Sequence, residues 1–99
     1  MVEYITYKGL KHPIRVSYYA LKKIKEETGK DLDNFDFEFL EPLLHYALIA
    51  GYKAENLNCP FKREDIEFVL DEAMSDFIKL LPKFFGQISQ EKKAEAKKK

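Results

Sequence analysis

The sequence predicts a small, mainly α domain of the α+β kind: an N-terminal β-hairpin followed by three main helices, the last long and kinked near Pro82. Three observations carry this expectation. The opening stretch VEYITY (2–7) is dense in β-branched and aromatic residues, the composition of a strand. From residue 18 onward apolar side chains recur at spacings of three and four, the helical period. With 99 residues, 45% of them hydrophobic, the chain has material for one core and is too short for two domains. A single globular unit over 1–89 is expected, with the hairpin at 2–16, helices within 18–88, and a charged, flexible tail at 90–99.

Each element follows from its residues. Gly9 can supply positive φ in a turn after VEYITY, and Ile14 and Val16 point to one side with Arg15 between them. Pro13 lacks an amide donor and belongs at a strand start or a sheet edge. Ser17 is the natural N-cap of a helix over 18–28, with Ala20, Leu21, Ile24 and Thr28 on one face and Gly29 as the left-handed stop. In KDLDNFDFEFLEP (30–42) phenylalanines alternate with acids, a strand period, yet five acidic residues favour a loop or a helix start. A short helical turn ending before Pro42 is expected there, with Pro42 in the first turn of the next helix. LLHYALIAGY (43–52) is apolar nearly all round, so this helix should be the central, buried one. KAENLNCPF (53–61) reads as a loop. From about Lys62 a long amphipathic helix begins, its stripe formed by Ile66, Val69, Leu70, Ala73, Met74, Phe77, Ile78 and Leu81, and Pro82 should end or kink it.

The net charge is zero, but it is distributed in blocks: seven basic and three acidic residues in 1–30, three and twelve in 31–76, seven and two in 77–99. Such blocks point to electrostatic complementarity within the fold or with a partner, or else to a solvated acidic helix face and a basic tail. The single Cys59 permits no intrachain disulfide and fits a reducing compartment. No apolar run has signal-peptide or membrane-span length. A cytoplasmic protein is expected.

Catalytic signals are lacking. His12, His45 and Cys59 match no zinc spacing, and a thiol nucleophile built from Cys59 and a histidine has no local support. The acids Glu64, Asp65, Glu67, Asp71 and Glu72 lack the glycine and ligand spacing of a calcium loop and read as a solvated face. No phosphate-cradling glycine motif occurs. The segment after Gly29 is acidic where a DNA-recognition helix would be basic, which argues against nucleic acid. The expectation is a non-enzyme with no cofactor, metal, small-molecule substrate or membrane. What remains is protein binding, with surplus phenylalanines as anchors. Phe35, Phe37 and Phe39 cannot share one helical face, Phe68 falls on the charged side of the last helix, and Phe84 and Phe85 lie beyond Pro82. Core packing is the competing assignment for each of the six.

The order of elements resembles the tail assembly chaperones of long-tailed, siphovirus-like bacteriophages. The opening ITYKGLKHPIRVSYYALKKIKEETGKDL (5–32) is similar to that family's hairpin, with its Pro–aliphatic–x–aliphatic second strand, and to its following helix. Ala20, Leu21, Ile24, Glu27, Thr28, Gly29 and Lys30 carry the likeness, although Lys25 stands where a glutamate is frequent. LLHYALIAGY resembles the family's buried helix. CPFKREDIEFVLDE (59–72) resembles its loop and last helix, with Lys62 where a capping Thr or Ser is commoner. The resemblance covers about residues 4–85. It implies a phage or prophage protein of the host cytoplasm, absent from the mature virion, that binds the tape-measure protein and assists assembly of tail-tube subunits. The lysine run 97–99 is compatible with the slippery codons from which such families extend a longer product, and equally with a plain solubilising tail. A homo-oligomer stays open. The alternatives are a small DNA-binding regulator or antitoxin-type protein using the basic tail, and a minor virion component.

Overall fold

A computed structural model describes residues 2–29 and 37–97, with side chains over 2–29 and 38–83. Its element order is that expected: a β-hairpin and then three helices. Strands β1 (Glu3–Tyr7) and β2 (Leu10–Ile14) pair antiparallel, with Tyr7 opposite Leu10 and Glu3 opposite Ile14. The two-residue connection has φ 52° at Lys8 and 78° at Gly9, the left-handed pair that matches the twist of a tight hairpin. Pro13 faces Tyr4 across the ladder and, in a sheet of two strands among the described residues, sits on an edge.

Helix α1 (Tyr18–Thr28) has the predicted limits. The Ser17 side chain accepts from the Ala20 amide, and Gly29, at φ 70°, returns its own amide to the Lys25 carbonyl. Its inward face is narrow: only Ala20 and Ile24 are buried.

The described part of the acidic phenylalanine segment has the short helical turn expected of it. Residues Phe37–Phe39 form a 3₁₀ turn that runs without a break into α2 (Leu40–Ala54). The turn ends at Phe39, before Pro42 as expected, and α2 begins at Leu40, ahead of the LLHYALIAGY stretch. Pro42 occupies the first turn, where its missing amide costs no helical bond, and Glu41 beside it favours the helix dipole. From Phe39 to Tyr52 no residue is exposed, so α2 is the central helix. Ala47 and Gly51, one turn apart, let β2 approach closely. The Arg15 amide donates to the Ala47 carbonyl at 2.9 Å, and a Cβ on Gly51 would lie 2.3 Å from the Pro13 carbonyl oxygen.

Helix α3 (Arg63–Lys97) contains Pro82 rather than ending at it. Pro82 is exposed, so the Ile78 carbonyl that loses its partner lies on the side where water can serve it. Residues 90–97, expected as a tail, have helical backbone as the last part of α3. The stripe Ile66, Val69, Leu70, Ala73, Phe77 and Leu81 is buried. Ile78, expected in that stripe, is instead 47% exposed, because the stripe narrows to one residue per turn at Phe77 and Leu81.

α1 and α3 both pack on α2, β2 lies along α2, and α3 also covers β1. One cluster joins Ile5, Ile14, Ile24, Phe39, Leu43, Leu44, Leu48, Val69 and Phe77. Burying each large aliphatic or aromatic side chain contributes about 1.5–3 kcal/mol. No buried side-chain nitrogen or oxygen among the described residues lacks a partner. No helix there is long and apolar enough to cross a membrane.

Candidate functional site: an acid-rimmed phenylalanine on α3

Steps of three and four residues place Glu64, Glu67, Phe68, Asp71 and Glu72 on one face of α3, opposite the buried stripe. All five are exposed, and Phe68 keeps 62% of its surface in water. Leaving a phenylalanine ring there forgoes burial worth about 1.5–3 kcal/mol.

The ring stands between two clefts. One, of about 500 Å³, has Leu40, Leu70 and Met74 on its apolar side and Glu38, Glu41 and Glu67 around them. The other lies against the hairpin turn, with Tyr7 and Lys8 on one wall and Asp65, Asp71 and Glu72 on the other. Glu72 is held there by the backbone amide of Lys8, which donates to its carboxylate. Glu64, Glu67 and Asp71 have no cationic partner among the described residues. This is an apolar seat with a negative rim and an aromatic anchor at its centre. It suits an amphipathic segment that brings aliphatic side chains to the floor and cations to the rim.

The other concentration of polar groups is a clasp. Arg63, the first residue of α3, donates through Nη1 to Glu27 Oε2 at 2.5 Å and through Nη2 to Glu27 Oε1 at 2.7 Å. Its Nε donates to His45 Nδ1 at 3.0 Å. Tyr46 Oη donates to Glu27 Oε1 at 2.8 Å, and its ring lies under the guanidinium, 5.2 Å from centroid to carbon. One residue of α1, two of α2 and one of α3 are thereby tied. Hydrogen bonds from Arg63 hold the Glu27 carboxyl below its ordinary range. An Nδ1 that accepts from an arginine carries no proton, so His45 is the neutral Nε2–H tautomer. Burial first, and then the Arg63 charge, push its pKa down. The clasp presents no activated nucleophile; its donors and acceptors satisfy one another.

The remaining sequence candidates are structural. His12 is 8% exposed. Its Nδ1 lies 2.5 Å from Tyr52 Oη, and Phe61 meets its ring edge to face. Cys59 is half-buried, and burial pushes its thiol pKa up, away from the thiolate that reactivity needs. No group of three or more His, Cys, Asp or Glu able to hold a metal occurs among the described residues.

Of the six candidate phenylalanines, Phe68 is at the surface as expected. Phe39 is not: it is 1% exposed and belongs to the core. The 3₁₀ turn rotates it inward as α2 begins, which the strand-like alternation concealed. Phe35 lies outside the described residues, as do the side chains of Phe37, Phe84 and Phe85. Sequence reasoning missed Leu40 and Met74 as a floor, because their clefts form only where α2 and α3 meet. It also missed the Arg63 clasp. Its signal was an arginine at a helix N-terminus, where the dipole disfavours a cation unless something holds it.

No family model, no curated protein and no solved structure matches the chain, so a functional reading rests on its own residues.

Proposed function

We propose that this chain is a non-catalytic protein-binding module, a tail assembly chaperone of a bacteriophage or prophage. In that role it binds the tape-measure protein in the host cytoplasm, assists assembly of tail-tube subunits, and leaves before the virion is complete. The observation that carries the reading is Phe68, exposed between two clefts on an acidic face where Glu64, Glu67 and Asp71 have no cationic partner among the described residues. A long helical client offers many amphipathic faces that aggregate when uncovered. An aromatic anchor over an apolar floor covers such a face, and a solvated acidic rim keeps the contact weak enough to release. The sequence resemblance over about residues 4–85 supplies the class of client; the surface alone would fit any basic amphipathic helix.

The test is co-expression with the tape-measure protein from the same genome, scored by soluble yield and co-purification. Solubilisation and co-purification that fall several-fold with Phe68→Ser are expected. If the two proteins neither associate nor change each other's solubility, the reading fails.

A further inference from the structure

A second surface carries the opposite chemistry. Where the start of α1 meets the C-terminal half of α2, Tyr19, Ile49, Ala50 and Ala54 line a cleft of about 530 Å³, with Arg15, Ser17 and Lys53 around them. Ala50 and Ala54, one helical turn apart, keep its floor low. Arg15 and Lys53 are exposed, and neither has an anionic partner among the described residues. The third positive element is backbone. Ser17 caps α1, and no acid stands in the first turn of that helix. Its positive end therefore opens on the cleft without a counter-charge. Tyr18, 79% exposed, stands at the same helix end.

The cleft is too open to enclose a small molecule. Arg15, Tyr19, Lys53 and Ala54 are all exposed, whereas a small-molecule site covers most of its ligand. A helix laid across it suits the shape. We infer that the cleft docks an acidic amphipathic helix of another protein, its aliphatic side chains on Ile49, Ala50 and Ala54 and its carboxylates at Arg15 and Lys53. Charge complementarity selects this occupant. The Arg15 amide is bonded to the Ala47 carbonyl, and Lys53 lies about 9 Å of helix rise beyond Ala47. Acids two turns apart on the partner, about 10.5 Å, reach both cations, and the residues between them cover the apolar floor. The inference does not rest on the tape-measure reading, since the cleft belongs to α1 and α2 and the Phe68 face to α3. The two faces select partners of opposite charge, so one copy can bridge them.

The experiment titrates the full chain, isotope-labelled for NMR, with a synthetic helical peptide of about 18 residues bearing two glutamates two turns apart around a pair of leucines. Saturable shifts are expected at Arg15, Ser17, Tyr19, Ile49 and Lys53. The same peptide with lysines in place of the glutamates should bind at least about tenfold more weakly, and about 500 mM salt should weaken the acidic one. Arg15→Glu/Lys53→Glu should reverse the preference at an unchanged melting temperature. Phe68→Ser should leave peptide binding intact while reducing co-purification of the tape-measure protein, so the two readings fail separately. Absence of saturable shifts up to millimolar peptide overturns the inference. So do equal affinities for the two peptides, shifts confined to α3, or a swapped variant that ignores the lysine peptide. Cleft shifts that appear on concentrating the chain alone, and that the peptide then does not alter, would make a second copy the occupant and overturn it as well.

Discussion

α1 and α3 flank the same helix, and they are built differently. α1 turns two side chains inward, Ala20 and Ile24, and depends for the rest on its caps and on the Glu27–Arg63 clasp. Among its described side chains α3 buries six, from Ile66 to Leu81, and its missing N-cap side chain is replaced from within, the Lys62 amide donating to Asp65 Oδ2 at 2.8 Å. α1 exposes aromatic rings as Tyr18 and Tyr19, whose hydroxyls suit water, whereas α3 leaves the wholly apolar ring of Phe68 outside. Phe68 is therefore surplus to folding, and its position has to be explained by something other than stability.

The contrast can be broken at several points. The largest effect is expected at the axis on which both helices lean. Gly51→Ala would gain about 1 kcal/mol by helix propensity at an open site, but here the new methyl meets Pro13 backbone. A net loss of about 3 kcal/mol, read from urea unfolding, is expected; a neutral or stabilising result would mean that β2 does not sit where described. Next comes Ile24→Ala, which removes the one large buried side chain of α1. A cost of about 2 kcal/mol, the lower end for such a truncation, is expected, with hydrogen exchange in α1 accelerated well beyond that in α3. The shorter truncation Val69→Ala in α3 should cost less and leave local protection even.

A smaller, pH-dependent effect should come from the clasp. The pKa of His45 is depressed in the fold, so its contribution is complete above its ordinary value of about 6.5 and declines as pH falls below it. Glu27 is depressed too, and its share is lost further down, as pH falls through the carboxylate range. Melting temperature should therefore drop between pH 7 and 5, and His45→Gln, which keeps an acceptor for Arg63 but does not titrate, should flatten that slope. The smallest effect on stability is expected from Phe68→Ser, within about 0.5 kcal/mol of wild type. A large loss there would return Phe68 to the core and undo the comparison.

Much of this arrangement was legible from local patterns. The limits of α1, the hairpin and the stripe of α3 rest on capping chemistry and period, which neighbouring residues decide among themselves. What could not be read is what tertiary approach decides. The role of Gly51 depends on how near β2 comes, and the inward rotation of Phe39 depends on the 3₁₀ turn running straight into α2. Phe68 was recognised as off the stripe because its helix is regular. The clefts beside it draw on Leu40 and Tyr7, far from it in the sequence, and no single-helix pattern contains them.

The packing of α3 on β1 has a consequence for the order of events at the ribosome. The first strand is covered by the last helix, and Lys83 Nζ reaches to 3.6 Å from Glu3 Oε1. At 5–20 residues per second, β1 waits on the order of 3–12 seconds after its own synthesis for its cover to begin arriving. During that interval the hairpin and α1 can form, but the apolar side of Ile5 faces solvent or a cellular chaperone. Nascent chains arrested before Arg63 should remain open to protease at β1, and chains released beyond Lys83 should not.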